Sequence, residues 1–199
     1  MNTIFSPVSP SPLLSSRELS EATRYLTSTR DSLVEVLNGF SEAQWHFKPA
    51  PDCWSSAEIL EHIVLIEDRV QAIVSRMPEA PPAEPDRINS QIEEIILAEV
   101  PRRSTKLQAP PPALPSHQWS PAETLTRFLE SRHRTLALLA EAPSLRGHVL
   151  PHPVLGLWDG YQWILAAAAH SARHTDQILE VKACSGFPEA HAAASVSLH

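Results

Sequence analysis

Apolar residues recur at the three-and-four spacing of a helix face in four long stretches of the chain. In the first, Leu19, Ala22, Leu26, Thr29, Leu33, Val36, Leu37 and Phe40 share one stripe. In the second the stripe is Ile59, Ile63, Ile66, Val70, Ile73 and Val74, and in the third Leu125, Phe128, Leu129, Leu136 and Leu139. The fourth begins at Asp159, runs through four consecutive alanines and stops near Gly186. Each stretch opens on a start signal. Ser15 with Glu18, Ser55 with Glu58, and Asp159 with Gln162 have capping-box spacing, and Ser120 is followed by Pro121 and Glu123. The spacing therefore predicts helices near 16–39, 54–76, 120–141 and 159–184. A shorter stripe of Ile88, Ile92, Ile95 and Ile96, ending at Glu99, predicts one extra amphipathic helix. Alternation of apolar and polar residues is nowhere long enough to predict a strand.

Nineteen prolines against five glycines sharpen this picture. They gather at residues 7–12, 77–86 and 109–115, outside every stripe. Proline is expelled from helix interiors, so these clusters mark what connects the helices. The expected fold is all-α: an antiparallel four-helix bundle with long proline-rich linkers and a short extra helix. The expected organisation is an irregular segment 1–15, the bundle over 16–186, and a mobile tail over 187–199.

A chain of 199 residues that is 43% hydrophobic can bury one substantial core. Sixteen basic residues against 23 acidic ones give a net charge of −7, and the basic residues never cluster beyond the pair Arg102 and Arg103. This argues against a nucleic-acid groove and against an anionic membrane surface, both of which need concentrated positive charge. The first residues lack a basic start and a continuous apolar core, and no segment is apolar enough to span a bilayer, so a cytoplasmic location is expected. Cys53 and Cys184 form neither a disulfide framework nor a CxxC site; Cys53 is expected to be a small buried residue.

Histidine is plentiful, with ten copies. His117, His133, His191 and His199 fall in a loop, a charged run and the tail, where solvated or structural roles are expected. His170 and His174 differ. Four positions apart beside the alanine run, they project from one side of the fourth helix, about 40° apart at 100° per residue. Trp163, Ala166, Gln177 and Val181 lie within about 40° of His170, a mostly apolar face, so both rings point inward. On the second helix His62 flanks the stripe, about 60° from Ile59 and about 40° from Ile66. Each ring alone reads as a hydrogen-bonded core histidine. The three together read as a metal site, since imidazole nitrogen suits zinc, nickel, copper and iron.

Three stretches carry a family resemblance: WSSAEILEHI (54–63), HPVLGLWDGYQWI (152–164) and HSARHTDQI (170–178). With the order of the helices and the long second linker, they span about residues 16–182. The chain resembles the DinB-like superfamily of metal-binding four-helix bundles, which includes bacillithiol transferases and mycothiol-dependent maleylpyruvate isomerases. The resemblance implies one divalent metal ion, zinc or nickel first, held by His62, His170 and His174.

Three protein ligands leave a coordination position open, as in catalytic zinc sites. Such a metal suits the transfer of a small thiol to an electrophile, or hydrolysis; the family points to the first. The competing reading is a non-catalytic bundle stabilised by its metal. Residues expected around the site are Glu58, one turn before His62, His152 as a spare ligand or proton carrier, Arg173 as partner for an anionic substrate, and Gln177 as orienter of a ring. Trp54, Trp158, Tyr161 and Trp163 read as packing. The partners expected are a small-molecule thiol and electrophile, with a homodimer as the assembly and neither nucleic acid nor membrane.

Overall fold

The computed structural model describes residues 13–84, 89–104, 108–141, 144–153 and 155–189. Among them stand six helices: α1 (Ser16–Leu37), α2 (Glu42–His46), α3 (Ser56–Ser75), α4 (Asn89–Glu99), α5 (Pro121–Glu141) and α6 (Gly160–Lys182). A hairpin of β1 (Val149–His152) and β2 (Gly156–Asp159) precedes α6. The four long helices are those the apolar stripes predict, and together they make a four-helix bundle. Most of the expected irregular segment (to residue 12), the tail from residue 190, and Ile88 lie outside the described residues. Among the described residues no helix is long and apolar enough to cross a membrane.

The capping boxes form as their spacing demands. Ser15, Ser55 and Asp159 each accept from the backbone three residues on, and Glu18, Glu58 and Gln162 reach back. Each box satisfies two N–H groups that the helix itself leaves unpaired. Asp159 also closes the hairpin opposite Val149, so the sheet fixes where α6 begins. Gly160 is needed there: its N–H donates to the Leu145 carbonyl at 2.8 Å. A Cβ on it would stand 2.8 Å from Leu145 Cδ2.

Packing joins α6 to α1 and α3, and α5 to the same two helices, so the consecutive pairs α1/α3 and α5/α6 lie across the bundle. Two apolar clusters fill it. One holds Ala22 and Leu26 of α1, Val70 and Val74 of α3, Leu139 of α5 and Ile164 to Ala169 of α6. The other holds Leu33, Leu37, Ile59, Ile63, Phe128, Ile178 and Val181. Following each helix from one cluster to the other shows α1 and α6 running one way, α3 and α5 the other. Between the clusters every long helix contributes buried polar residues: Thr29, then His62 and Glu67, then Arg132 and Thr135, then Ser171 and His174. The core is therefore split by a polar layer at mid-height.

Several local expectations are corrected. The hairpin was not foreseen, because its strands have four residues each and bury without alternation, and Pro151 sits inside β1. Helix α2 was missed because one five-residue turn has no period to detect, although Ser41 and Gln44 form a capping box. Leu129 and Ile95 are exposed rather than inward. On α5 the interior stripe runs Phe128, Arg132, Thr135, Leu139, and it takes the polar residues because they meet partners in the layer. Cys53 is half-buried rather than a core residue.

Candidate metal centre

The polar layer brings three imidazoles face to face. His62 projects from α3, and His170 and His174 project one turn apart from α6. Nε2 of His170 is 3.1 Å from Nε2 of His62 and 3.1 Å from Nε2 of His174. One ring nitrogen from each residue lies within 4.8 Å of the other two, and among the described residues no other set of three His, Cys, Asp or Glu donors converges this way. Zinc takes imidazole nitrogen at about 2.0–2.1 Å, which sets neighbouring ligand nitrogens roughly 3 Å apart. The spacing and the all-nitrogen donor set fit a shared borderline ion such as zinc or nickel, and suit calcium or magnesium poorly.

Two rings are oriented from behind. His62 Nδ1 lies 2.7 Å from the Ala113 carbonyl, and a carbonyl only accepts, so this nitrogen carries the hydrogen. His174 Nδ1 lies 2.8 Å from Gln177 Oε1, which also accepts from Arg103 at 3.2 Å, and Arg103 in turn holds Glu180 through two 2.7 Å bonds. Both arrangements leave Nε2 bare toward the cluster, the geometry of a metal-ligating histidine. His170 is half-buried as a residue. Its Nδ1 is nevertheless shut off from solvent and has no hydrogen-bond partner among the described residues.

Burial, first of all, makes these rings weak bases. His62 is pushed below the ordinary histidine value by desolvation, against which its bond to Ala113 works. His170 is pushed well below by desolvation, then by its two neighbours and Arg173. His174 is pushed down to about 3 by desolvation and by His62, with Arg103 and Arg173 adding to the effect and Gln177 opposing it. All three are neutral at pH 7, the form a metal requires.

Ala113 belongs to a 3₁₀ turn, Pro111–Ala113, inside the last proline cluster. The strap that follows is tied to α3 by Glu61, the residue before His62. Its carboxylate accepts from Ser116 N (3.0 Å), Ser116 Oγ (3.2 Å), His117 N (2.9 Å) and Gln118 Nε2 (3.4 Å). His117 sits in the left-handed region at φ 59°, a conformation that surrounding bonds must impose. In the same polar layer lies the Glu67–Arg132 ion pair, both side chains at most 1% exposed. Arg132 also donates to Leu26 O, Thr29 Oγ1 and Ser171 Oγ, the last being next in sequence to His170.

Of the other residues expected at the site, Gln177 meets His174, as above, and Arg173 is buried on α6 between the two histidines. Two are placed elsewhere. Glu58 spends its carboxylate on the Ser55 cap, on Lys48 at 2.7 Å and on His117 at 3.3 Å, while His62 turns to Ala113 instead. His152 stacks on Trp158 at 3.8 Å in the hairpin and is not part of the histidine cluster. Trp54 packs on the His62 ring, centroids 4.9 Å apart. Sequence reasoning missed Ala113, Glu61 and Arg103. The first acts through its backbone, and only the stiffness of the proline cluster hinted at it; an ion-pairing surface arginine carries no distinguishing pattern.

A sequence model of the DinB superfamily matches residues 25–178 of this chain. The chain is also similar to an uncharacterised protein, YuaE, of Bacillus subtilis (strain 168). The two are 32% identical over 151 residues, which make up 73% of this chain and 88% of that protein. Among solved structures it is similar to YfiT from Bacillus subtilis, described as a probable metal-dependent hydrolase with an unusual four-helix bundle topology. That match has a TM-score of 0.52 at 13% identity and covers 89% of this chain and 93% of YfiT. At that identity the likeness speaks for the fold alone.

Proposed function

The chain belongs to the DinB superfamily, and from that premise we propose a divalent-metal enzyme that activates a small nucleophile, a low-molecular-weight thiol in the first reading. The observation that carries this is the convergence of three neutral imidazoles on one point, with Nε2 of His62 and of His174 bare toward His170 Nε2. His62, His170 and His174 would hold the ion, zinc or nickel by the softness of the donors. A divalent ion bound there supplies a Lewis acid that lowers the pKa of a thiol or water at its open position.

The chain's own residues do the rest. Ala113 and Gln177 hold two rings in the tautomer that aims Nε2 inward. Arg103 and Arg173 place positive potential beside His174, which favours an anionic nucleophile or substrate there and adds to burial in disfavouring protonation of that ring. Trp54 packs against the His62 ring and flanks the site on that side. This division of labour needs no protein nucleophile. Hydrolysis is the second reading, because YfiT, which shares the fold, is described as a probable metal-dependent hydrolase.

The test compares metal-loaded with chelator-treated protein. Loss of free thiol is followed against a model electrophile, with bacillithiol, mycothiol, glutathione and cysteine in turn, and cleavage of an activated ester is followed in parallel. Acceleration of one thiol by the loaded protein, abolished in His170→Ala, is expected. Ester cleavage alone would favour hydrolysis, and activity in neither assay would remove the enzyme reading.

A further inference from the structure

Glu61 shares no hydrogen bond with the three rings, yet it is the residue best placed to govern one of them. Its side chain is buried, 3% exposed, and its carboxylate is occupied entirely by the strap. Two consecutive backbone N–H groups, those of Ser116 and His117, end on it, one on each oxygen. Three residues upstream the same strap delivers the Ala113 carbonyl to His62 Nδ1 at 2.7 Å. Between α3 and that carbonyl the chain has little freedom. Pro110, Pro111, Pro112 and Pro115 fix their φ angles, and Ala113 N–H is bonded back to Pro110 O at 2.8 Å.

We propose that Glu61 is a positioning residue for the metal centre: by clamping the 110–118 strap onto α3 it holds the Ala113 carbonyl against His62 and so sets that ring's tautomer and aim. The strained φ of His117 supports this, because a non-glycine residue stays in the left-handed region only where its neighbours hold it, and its N–H is one of the bonds on Glu61. Glu61 and His62 are adjacent on one helix, so clamp and ligand move as a unit. The inference rests on the metal reading for its functional consequence, but the coupling between strap and ring exists without metal.

The test uses Glu61→Gln, which keeps the size of the side chain but turns a donor toward one of the two backbone N–H groups. Zinc affinity is measured by competition with a chelator, and the His62 Nδ1–H signal is followed by ¹H–¹⁵N NMR in the metal-free protein. Zinc binding should weaken about ten- to hundredfold, the usual cost of losing support behind a ligand. The His62 signal should be lost to exchange while that of His174, held by Gln177, persists. A simple loss of stability would not separate the two rings. The double variant Ser116→Ala, Gln118→Ala removes two donors from exposed strap positions and leaves α3 untouched, so folding is not at risk. It should shift the same signal in the same direction by less. An unchanged His62 signal in both variants overturns the proposal. If wild-type protein binds no zinc while the His62 signal still depends on Glu61, the metal reading fails and the clamp stands.

Discussion

Replacing Arg132 by methionine should be among the most damaging single changes outside the histidines. The guanidinium is fully buried and lies in the polar layer, donating to Leu26 O (2.8 Å), Thr29 Oγ1 (2.8 Å), Ser171 Oγ (2.7 Å) and both oxygens of Glu67. Methionine matches much of the volume, so little cavity is made and the loss is electrostatic. It strands the Glu67 carboxylate, 1% exposed, without its counter-charge and leaves it the Ser171 hydroxyl at 3.3 Å. Burial already pushes that carboxyl above the usual range, and Arg132 is the main opposing influence. Removing one partner of such a pair costs about 3–5 kcal/mol. At about 2–4 °C per kcal/mol for a chain of this size, the melting temperature should fall by roughly 6–20 °C. The double variant Arg132→Met, Glu67→Leu removes both charges and should recover most of the loss, since replacing such a pair by apolar residues is near neutral or stabilising by about 1–4 kcal/mol. Urea unfolding of the metal-free wild type, both singles and the double gives the coupling energy directly. A single-variant cost under about 0.5 kcal/mol, or single costs that simply add in the double, would refute the reasoning.

Acid should destabilise the metal-free protein through its histidines. Their folded pKa values lie below the unfolded value of about 6.5, so the unfolded chain binds more protons and stability falls as pH drops through that value. For His174 the loss continues down to about pH 3. Between pH 7.5 and 5 it amounts to about 2 kcal/mol. Urea unfolding of wild type and His174→Gln at both pH values should show that much less acid sensitivity in the variant, and equal sensitivity would contradict the burial argument. Gly160→Ala should destabilise by about 1–3 kcal/mol, because its methyl would overlap the buried Leu145 side chain and crowd the carbonyl 3.1 Å away. A melting temperature equal to wild type would mean the hairpin-to-α6 junction yields without cost. Because burial holds all three rings below their ordinary value, zinc affinity should change little just below pH 7 and fall only in more strongly acid solution, where protons reach the same ring nitrogens; a loss of affinity centred near the ordinary histidine value of about 6.5 would contradict the burial argument.

What was legible in the sequence was what repeats or caps. The four stripes and the capping boxes at Ser15, Ser55 and Asp159 placed the long helices within a few residues of where they stand. His170 and His174 could be placed on one inward face because helical geometry relates residues four apart, and His62 could be placed beside its stripe for the same reason. What no local pattern carries is which helices become neighbours. The diagonal placement of α1 and α3 follows from tertiary packing, and with it the fact that α3 rather than α5 faces the HxxxH pair. The role of Ala113 was hidden for a different reason: a backbone carbonyl has no side-chain signature. Arg132 was invisible because its burial makes sense only once Glu67, Thr29 and Ser171, from three other helices, are seen around it.

The central claim is that α3 and α6 together hold one divalent ion through His62, His170 and His174. Zinc titration of metal-free wild type, His62→Ala, His170→Ala, His174→Ala and the exposed control His133→Ala tests it, with circular dichroism checking that each variant stays helical. The account predicts one equivalent of zinc per chain for wild type and for His133→Ala. Loss of that site is expected in each of the other three, at helical content close to wild type. His62→Ala decides the matter, since it alone separates a site built between two helices from an HxxxH pair acting by itself. Zinc bound to His62→Ala with wild-type affinity would contradict the claim.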